Sequence, residues 1–177
     1  TIPVAAIDED NDGYPDDWTS LFTNSSNTSG LILDACPGVD GYGESFRDRF
    51  GCPDSDGDGT SDLGDPFPLE ASQWQDTDGD GFGDNSTGLN ADHCPTANGS
   101  SIEDRKGCPD SDGDGWSDPD LGWGTGGVSS GADAFVDEPT QWRDADLDGF
   151  GDNLSGVDAD QCPDTDFGWI EKVDENG

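Results

Sequence analysis

Five stretches of this 177-residue chain repeat the pattern Asp-x-Asp-x-Asp-Gly-x-x-Asp. They are Asp8/Asp10/Asp12/Asp16, Asp54/Asp56/Asp58/Asp62, Asp76/Asp78/Asp80/Asp84, Asp110/Asp112/Asp114/Asp118 and Asp144/Asp146/Asp148/Asp152. Carboxylates at alternate positions of a tight loop are hard oxygen donors, and they suit calcium, which takes about 6–8 oxygen ligands. Such a loop offers side chains from positions 1, 3, 5 and 9 and a backbone carbonyl from position 7, here Tyr14, Thr60, Phe82, Trp116 and Phe150. Position 6 needs a sharp turn with positive φ, and Gly13, Gly59, Gly81, Gly115 and Gly149 occupy it. Five matches with glycine in register exceed chance and imply Ca2+ at five or more sites. Magnesium would be held poorly by so flexible an all-carboxylate cage, and no His/Cys cluster is present for zinc.

Position 12, where an EF-hand places a bidentate Glu, reads Thr19, Asp65, Thr87, Leu121 and Ser155, so only the Asp54 loop has an acid there. The other loops must complete their shells from elsewhere. Asp34, Asp92 and Asp160 each stand two residues before a Cys-Pro and are expected to close the Asp8, Asp76 and Asp144 loops. Aligning Gly64–Trp74 with Ala132–Trp142 sets Asp133 opposite Asp65 and Glu138 opposite Glu70. Asp133 is thus expected to close the Asp110 loop. Dockerins also pair calcium loops, but they need an amphipathic helix behind each, and none is legible here.

The elements that must position these loops are hard to find in the composition. Only 29% of residues are apolar, and 27 Gly with 11 Pro interrupt every apolar run, so hydrophobic collapse alone cannot offset the ordering entropy of the backbone. A net charge of −36 adds self-repulsion, which leaves two states: disorder, or order imposed by cations. The same charge excludes nucleic acid and direct insertion into an anionic membrane surface. Little regular secondary structure is expected. Ser101–Arg105 and Glu171–Val173 are the candidates for a turn of helix or an edge bridge.

Internal repetition supplies the organisation. Cys-Pro-Asp-Ser-Asp-Gly-Asp-Gly occurs at Cys52–Gly59 and at Cys108–Gly115, and Gln-Trp precedes an Asp loop at Gln73 and at Gln141. The phase gives three units, 1–51, 52–107 and 108–177, the last expected to continue past residue 177. Insertions fall around Ser20–Leu31 and Leu121–Ala132 and read as surface excursions. The Trp residues admit two readings: a small core with Phe67, Phe82, Phe135, Phe150 and the cysteines, which is preferred, or a platform for sugar rings. His93 reads as solvent-facing. No nucleophile stands with a base, and the carboxylate pairs are better explained as ligands than as acid/base couples, so an enzyme is not expected.

Asp-x-Asp-x-Asp-Gly-x-x-Asp, then Asp-x-Cys-Pro, then Gly-Cys-Pro-Asp-x-Asp-Gly-Asp-Gly, resembles the thrombospondin type 3 repeat, in the form found in bacterial and archaeal surface proteins. The match covers Asp8–Trp18, Asp34–Asp65, Trp74–Asp118 and Trp142–Gly177. The resemblance implies a mostly irregular fold of calcium-nucleated, disulfide-pinned tandem repeats forming an elongated rod, with no catalytic site. In repeat phase, Cys36 and Cys52 bracket one loop and Cys94 and Cys108 its counterpart, so Cys36–Cys52 and Cys94–Cys108 are expected as disulfides in an oxidising compartment, with a zinc site as the alternative. Cys162 would then pair with a residue just past Gly177, in a longer array. Sequons at Asn24, Asn27, Asn85, Asn98 and Asn153 suggest N-linked glycans on an extracellular or cell-surface protein. The expected function is a stiff spacer, adhesive stalk or fibre subunit whose partners are calcium, glycans, copies of itself or other cell-surface components. The alternative is a calcium-dependent protein- or glycan-binding module.

Overall fold

The structure, a computed structural model, describes residues 7–16, 32–41, 47–124 and 131–163. Asn24, Asn27, Trp18, Trp169 and Glu171–Val173 lie outside the described residues. Within them there is no helix and no sheet; isolated parallel bridges join Gly83↔Ala91 and Gly151↔Ala159, and Ile7 also stands in a bridge. Ser101–Arg105 forms no helical turn. The cause is local: aspartate side chains take up the backbone N–H groups that a helix or ladder would use. The chain divides into two compact units, Thr1–Gln75 with Thr87–Leu89, and Asp76–Ser86 with Asn90–Gly177. The first holds the Asp8 and Asp54 loops and the second the other three.

Four of the loops are tied at the base by a backbone bond that recurs in both units. The N–H of Asp16, Asp62, Asp118 and Asp152 donates to the carbonyl just before its loop, on Ile7, Pro53, Pro109 and Arg143, at 2.7–2.9 Å. Disulfides Cys36–Cys52 and Cys94–Cys108 are formed, one in each unit, closing separations of 16 and 14 residues. Links of that span remove about 3 kcal/mol of unfolded-state entropy each in the chain-entropy model. Cys162 is a free, exposed thiol. Gly51 and Gly107, which precede the second cysteine of each pair, stand at φ +79° and +75°. A Cβ at either would run into the carboxylate of Asp34 or Asp92, so the Gly-Cys-Pro glycine is fixed by both conformation and space.

The interior is polar. Among the described residues the buried apolar ones are Cys52, Cys108 and Ala132, whereas Gln73, Gln141, Asp133, Asp160, Ser61, Ser101 and Ser117 are fully buried. The expected aromatic core is not what fills the centre. Trp74, Trp142, Phe67, Phe82, Phe135 and Phe150 are all half-buried. Trp142 stacks on Trp116 with ring centroids 6.2 Å apart, and the Arg47 guanidinium lies 3.9 Å over the Trp74 ring. The glutamine of the Gln-Trp pair does the central work. Gln141 donates from Nε2 to the carbonyls of Asn153 and Val157 and accepts the Asn153 N–H at Oε1, all between 2.9 and 3.0 Å. Gln73 reaches Leu89 O in the same way at 3.1 Å. Gly88 and Gly156 are small because the Gln73 and Gln141 amides press on them.

A buried amide satisfying three backbone groups cannot be replaced by an apolar isostere without stranding them. Gln141→Leu is expected to lower the unfolding free energy by about 3 kcal/mol in denaturant titrations. Phe135→Ala, at a half-buried position, should cost about 1 kcal/mol, roughly the typical value for a single substitution. The reverse order would restore the aromatic core.

Candidate metal centres

In each loop the first, third and fifth aspartates bring one carboxylate oxygen apiece within 4.8 Å of one another: Asp8/Asp10/Asp12, Asp54/Asp56/Asp58, Asp76/Asp78/Asp80, Asp110/Asp112/Asp114 and Asp144/Asp146/Asp148. The backbone holds them there. The first carboxylate accepts the position-6 N–H in every loop, from 2.8 Å at Gly59 to 3.3 Å at Gly13. The fifth accepts the N–H of Tyr14, Thr60, Phe82, Trp116 or Phe150 at 2.7–2.9 Å. The position-6 glycines stand at φ +94° to +99°, as their expected role requires. Position 4 is left-handed as well, at Asn11, Gly57, Gly79, Gly113 and Leu147.

A fourth carboxylate comes to each triad. Asp34, Asp65, Asp92, Asp133 and Asp160 each accept, at Oδ1, the N–H two residues on, at 2.6–2.7 Å. Each donates its own N–H to the carbonyl at loop position 8, on Pro15, Ser61, Gly83, Ser117 or Gly151, at 2.8–3.0 Å. All five are buried. Burial raises their carboxyls above the ordinary range, and repulsion from loop aspartates adds to it: Asp12, Asp10 and Asp16 on Asp34; Asp58, Asp56 and Asp54 on Asp65; Asp80, Asp78 and Asp84 on Asp92; Asp148, Asp146 and Asp152 on Asp160. Asp133, facing Asp114, Asp112 and Asp118, is pushed up to about 7.

Such a cluster of buried acids calls for a compensating positive charge. Asp34, Asp65, Asp92 and Asp160 each keep Oδ2 buried and without a hydrogen-bond partner, as do Asp10, Asp56, Asp112 and Asp114, while Asp58 Oδ2 has Arg47 Nη1 at 3.8 Å. Asp8, Asp16 and Asp78 also keep such oxygens. A buried anionic oxygen with no partner costs several kcal/mol, and clustering several multiplies the penalty. An all-oxygen, carboxylate-rich donor set fits a hard divalent cation and offers no soft ligand. The Asp clusters could hold metal ions.

The ninth-position aspartates stand apart from the triads. Both oxygens of Asp62, Asp84 and Asp118 are taken by the N–H and hydroxyl of Ser55, Thr77 and Ser111 at loop position 2, so these acids brace the loop. Asp16 accepts the Glu9 N–H, and Asp152 accepts the Ala145 N–H and pairs with Arg143 Nε at 3.1 Å.

Asp48 and Asp104 are braces that the loop pattern does not reveal. Asp48 receives the Ser61 N–H and hydroxyl at 2.8 and 2.6 Å, and Asp104 receives those of Ser117 at 2.9 and 2.6 Å with the Trp123 indole N–H at 3.0 Å. Burial opposes ionisation of both, but these donors outweigh it and hold both carboxyls below the ordinary range. The signal lay in a second repeat, Asp-Arg-x-Gly-Cys-Pro at Asp48–Pro53 and Asp104–Pro109. Of the sequons, Asn98 is exposed, Asn85 is half-buried, and half-buried Asn153 donates from Nδ2 to Thr140 O at 2.8 Å. The His93 side chain is exposed. No family model matches the chain, and no curated protein matches it.

The raised carboxyl of Asp133 fixes a pH dependence. Pushed up to about 7, its carboxyl lies well above the ordinary 3.8, so burying its charge destabilises the fold above pH 7 and the penalty fades as pH falls towards 3.8. A cation bound there must displace that proton. Metal affinity of the Asp110 loop is therefore expected to fall about thirty-fold from pH 8 to pH 5.5, with proton release on binding near neutrality. Calorimetric titration in buffers of different ionisation enthalpy reads both.

Proposed function

We propose that this chain is an extracellular calcium-binding structural repeat protein, acting as a stiff spacer, adhesive stalk or fibre subunit. The observation that carries the reading is the set of buried, unpartnered carboxylate oxygens held at the Asp triads by backbone bonds. Each loop would take one Ca2+ from the first, third and fifth aspartates, the position-7 carbonyl and the fourth, closing carboxylate. With calcium, repulsion among like charges becomes coordination. Without it, the charge of −36 opposes compaction. The two disulfides support an oxidising compartment. No helix among the described residues is long and apolar enough to cross a membrane. Membership of the thrombospondin type 3 repeat family, an elongated rod and N-linked glycans, with Asn98 the exposed sequon, belong to this proposal. No catalytic role is proposed, since the clustered acids are accounted for as ligands or braces.

A second reading, a calcium-dependent protein- or glycan-binding module, has one feature in its favour. A recess of about 420 Å³ opens beside Trp142, Arg143, Asp152, Asn153 and Leu154, bringing an indole together with polar groups. The two readings predict different losses on Trp142→Ala: a stalk keeps its calcium-dependent compaction, whereas a glycan module loses array binding.

Titrating chelated protein with calcium is expected to give a cooperative change in far-UV dichroism and Trp fluorescence with a smaller hydrodynamic radius, reversed by chelator. Asp92→Asn, which removes one closing charge, should weaken the Asp76 site about tenfold or more while leaving both disulfides intact. A chain whose spectra and size ignore calcium would overturn the proposal.

A further inference from the structure

Resting on the calcium reading above, we propose that the five loops form a graded series in which the Asp144 loop is a low-affinity calcium site that fills last. The chain would then respond to calcium over two concentration ranges rather than one. The site is built: Asp160 is fully buried with Oδ2 unpartnered, and the loop carboxylates of Asp148, Asp146 and Asp152 crowd it, so a cation has an orphaned ligand waiting.

Three features of this loop bear on its affinity, and the second and third separate it from the Asp54, Asp76 and Asp110 loops alike. The first is a cation on the ninth-position carboxylate; the Asp54 loop also carries a guanidinium, but on its fifth-position acid, with Arg47 Nη1 3.8 Å from Asp58 Oδ2. Position −1 is Ile7, Pro53, Gln75 or Pro109 in the other loops and Arg143 here, and its Nε lies 3.1 Å from Asp152 Oδ2. Position 2 explains the pairing: Ser55, Thr77 and Ser111 supply a hydroxyl to the ninth-position carboxylate, Ala145 has none, and Arg143 takes the vacant oxygen. A hydroxyl brace is neutral, whereas a guanidinium repels an arriving divalent ion. The second is backbone strain. Position 4 is left-handed in all five loops, glycine in three and Asn11 in one, but Leu147 holds φ +65° with a Cβ that disfavours it. The third is enclosure. Asp148 is exposed, whereas Asp12, Asp58, Asp80 and Asp114 at the same position are half-buried or buried. All three act in one direction, towards weaker binding.

Calorimetric calcium titration of the whole chain tests this with Arg143→Gln, Leu147→Gly, Asp144→Asn and, as a control, Asp110→Asn. The wild type is expected to show tight phases and one weak phase, which Asp144→Asn removes while the tight phases remain. Arg143→Gln keeps a donor for Asp152 but removes the charge, and should tighten the weak phase about tenfold. Leu147→Gly should tighten it about fivefold by relieving the left-handed strain. Asp110→Asn should remove a tight phase and leave the weak one. Binding in tight phases only, or a weak phase that survives Asp144→Asn and ignores both tightening variants, overturns the graded series while leaving calcium binding in place. A wild type that takes up no calcium overturns the parent reading and this one with it.

Discussion

Mutual repulsion among carboxylates forced together is the constraint on which this structure turns. Each loop holds three of them within 4.8 Å and brings a fourth, buried acid against them. Among the described residues nothing hydrophobic is large enough to hold such groups in place, so the backbone does it. N–H groups that would build a helix or a strand are aimed at aspartate oxygens instead, at positions 6 and 7 of every loop and two residues beyond every closing acid. Irregular structure is therefore the condition for having the site at all. Among the described residues, fold and candidate site are built largely from the same bonds.

The same constraint explains how the repeats tolerate insertions. Asp65 follows its loop directly, whereas Asp133 arrives across the Leu121–Ala132 insertion, yet each donates its N–H to a position-8 serine carbonyl and accepts an N–H two residues later. Closure needs one backbone bond and one carboxylate at the right place, and it is indifferent to the path between them. The base of the insertion is anchored at Trp123, which donates to Asp104 while the Arg105 guanidinium lies 5.2 Å from its ring. A long excursion there changes loop entropy slowly with length and leaves the coordination geometry alone.

Much of the candidate site was legible because its chemistry is local. Alternating aspartates, the position-6 glycine and the Asp before Cys-Pro can be read from spacing, and the alignment of Asp133 with Asp65 located a buried closing carboxylate that no fixed spacing would find. The disulfide pairing followed from repeat phase. What escaped was burial without hydrophobicity. Gln73 and Gln141 stand out in sequence only as part of the repeated Gln-Trp element, because a core is ordinarily sought among apolar residues, and a chain with few of them fills its centre with amides, hydroxyls and carboxylates. Asp48 and Asp104 escaped for a related reason: in a chain with 42 acids a brace cannot be told from a ligand until its donors are seen. The ninth-position aspartates match the ligand pattern in sequence, and only the hydroxyl two residues into the loop shows that three of them are otherwise engaged.

Magnitudes show why a chain with so small an apolar interior can still be well ordered under the proposed reading. A ligand at a hundred times its dissociation constant stabilises the folded form by about 2.7 kcal/mol per site, so five independent sites would supply about 13 kcal/mol. That is comparable to the whole stability of an ordinary globular domain, roughly 5–15 kcal/mol. The two disulfides, at about 3 kcal/mol each, act on the unfolded chain and are present with or without ions. Order in such a chain is a function of cation concentration first and of temperature second. Differences among the loops then acquire meaning: in a hydrophobic domain a strained Leu147 or a misplaced Arg143 would be absorbed by the core, whereas here each sets the concentration at which its own part of the fold takes shape.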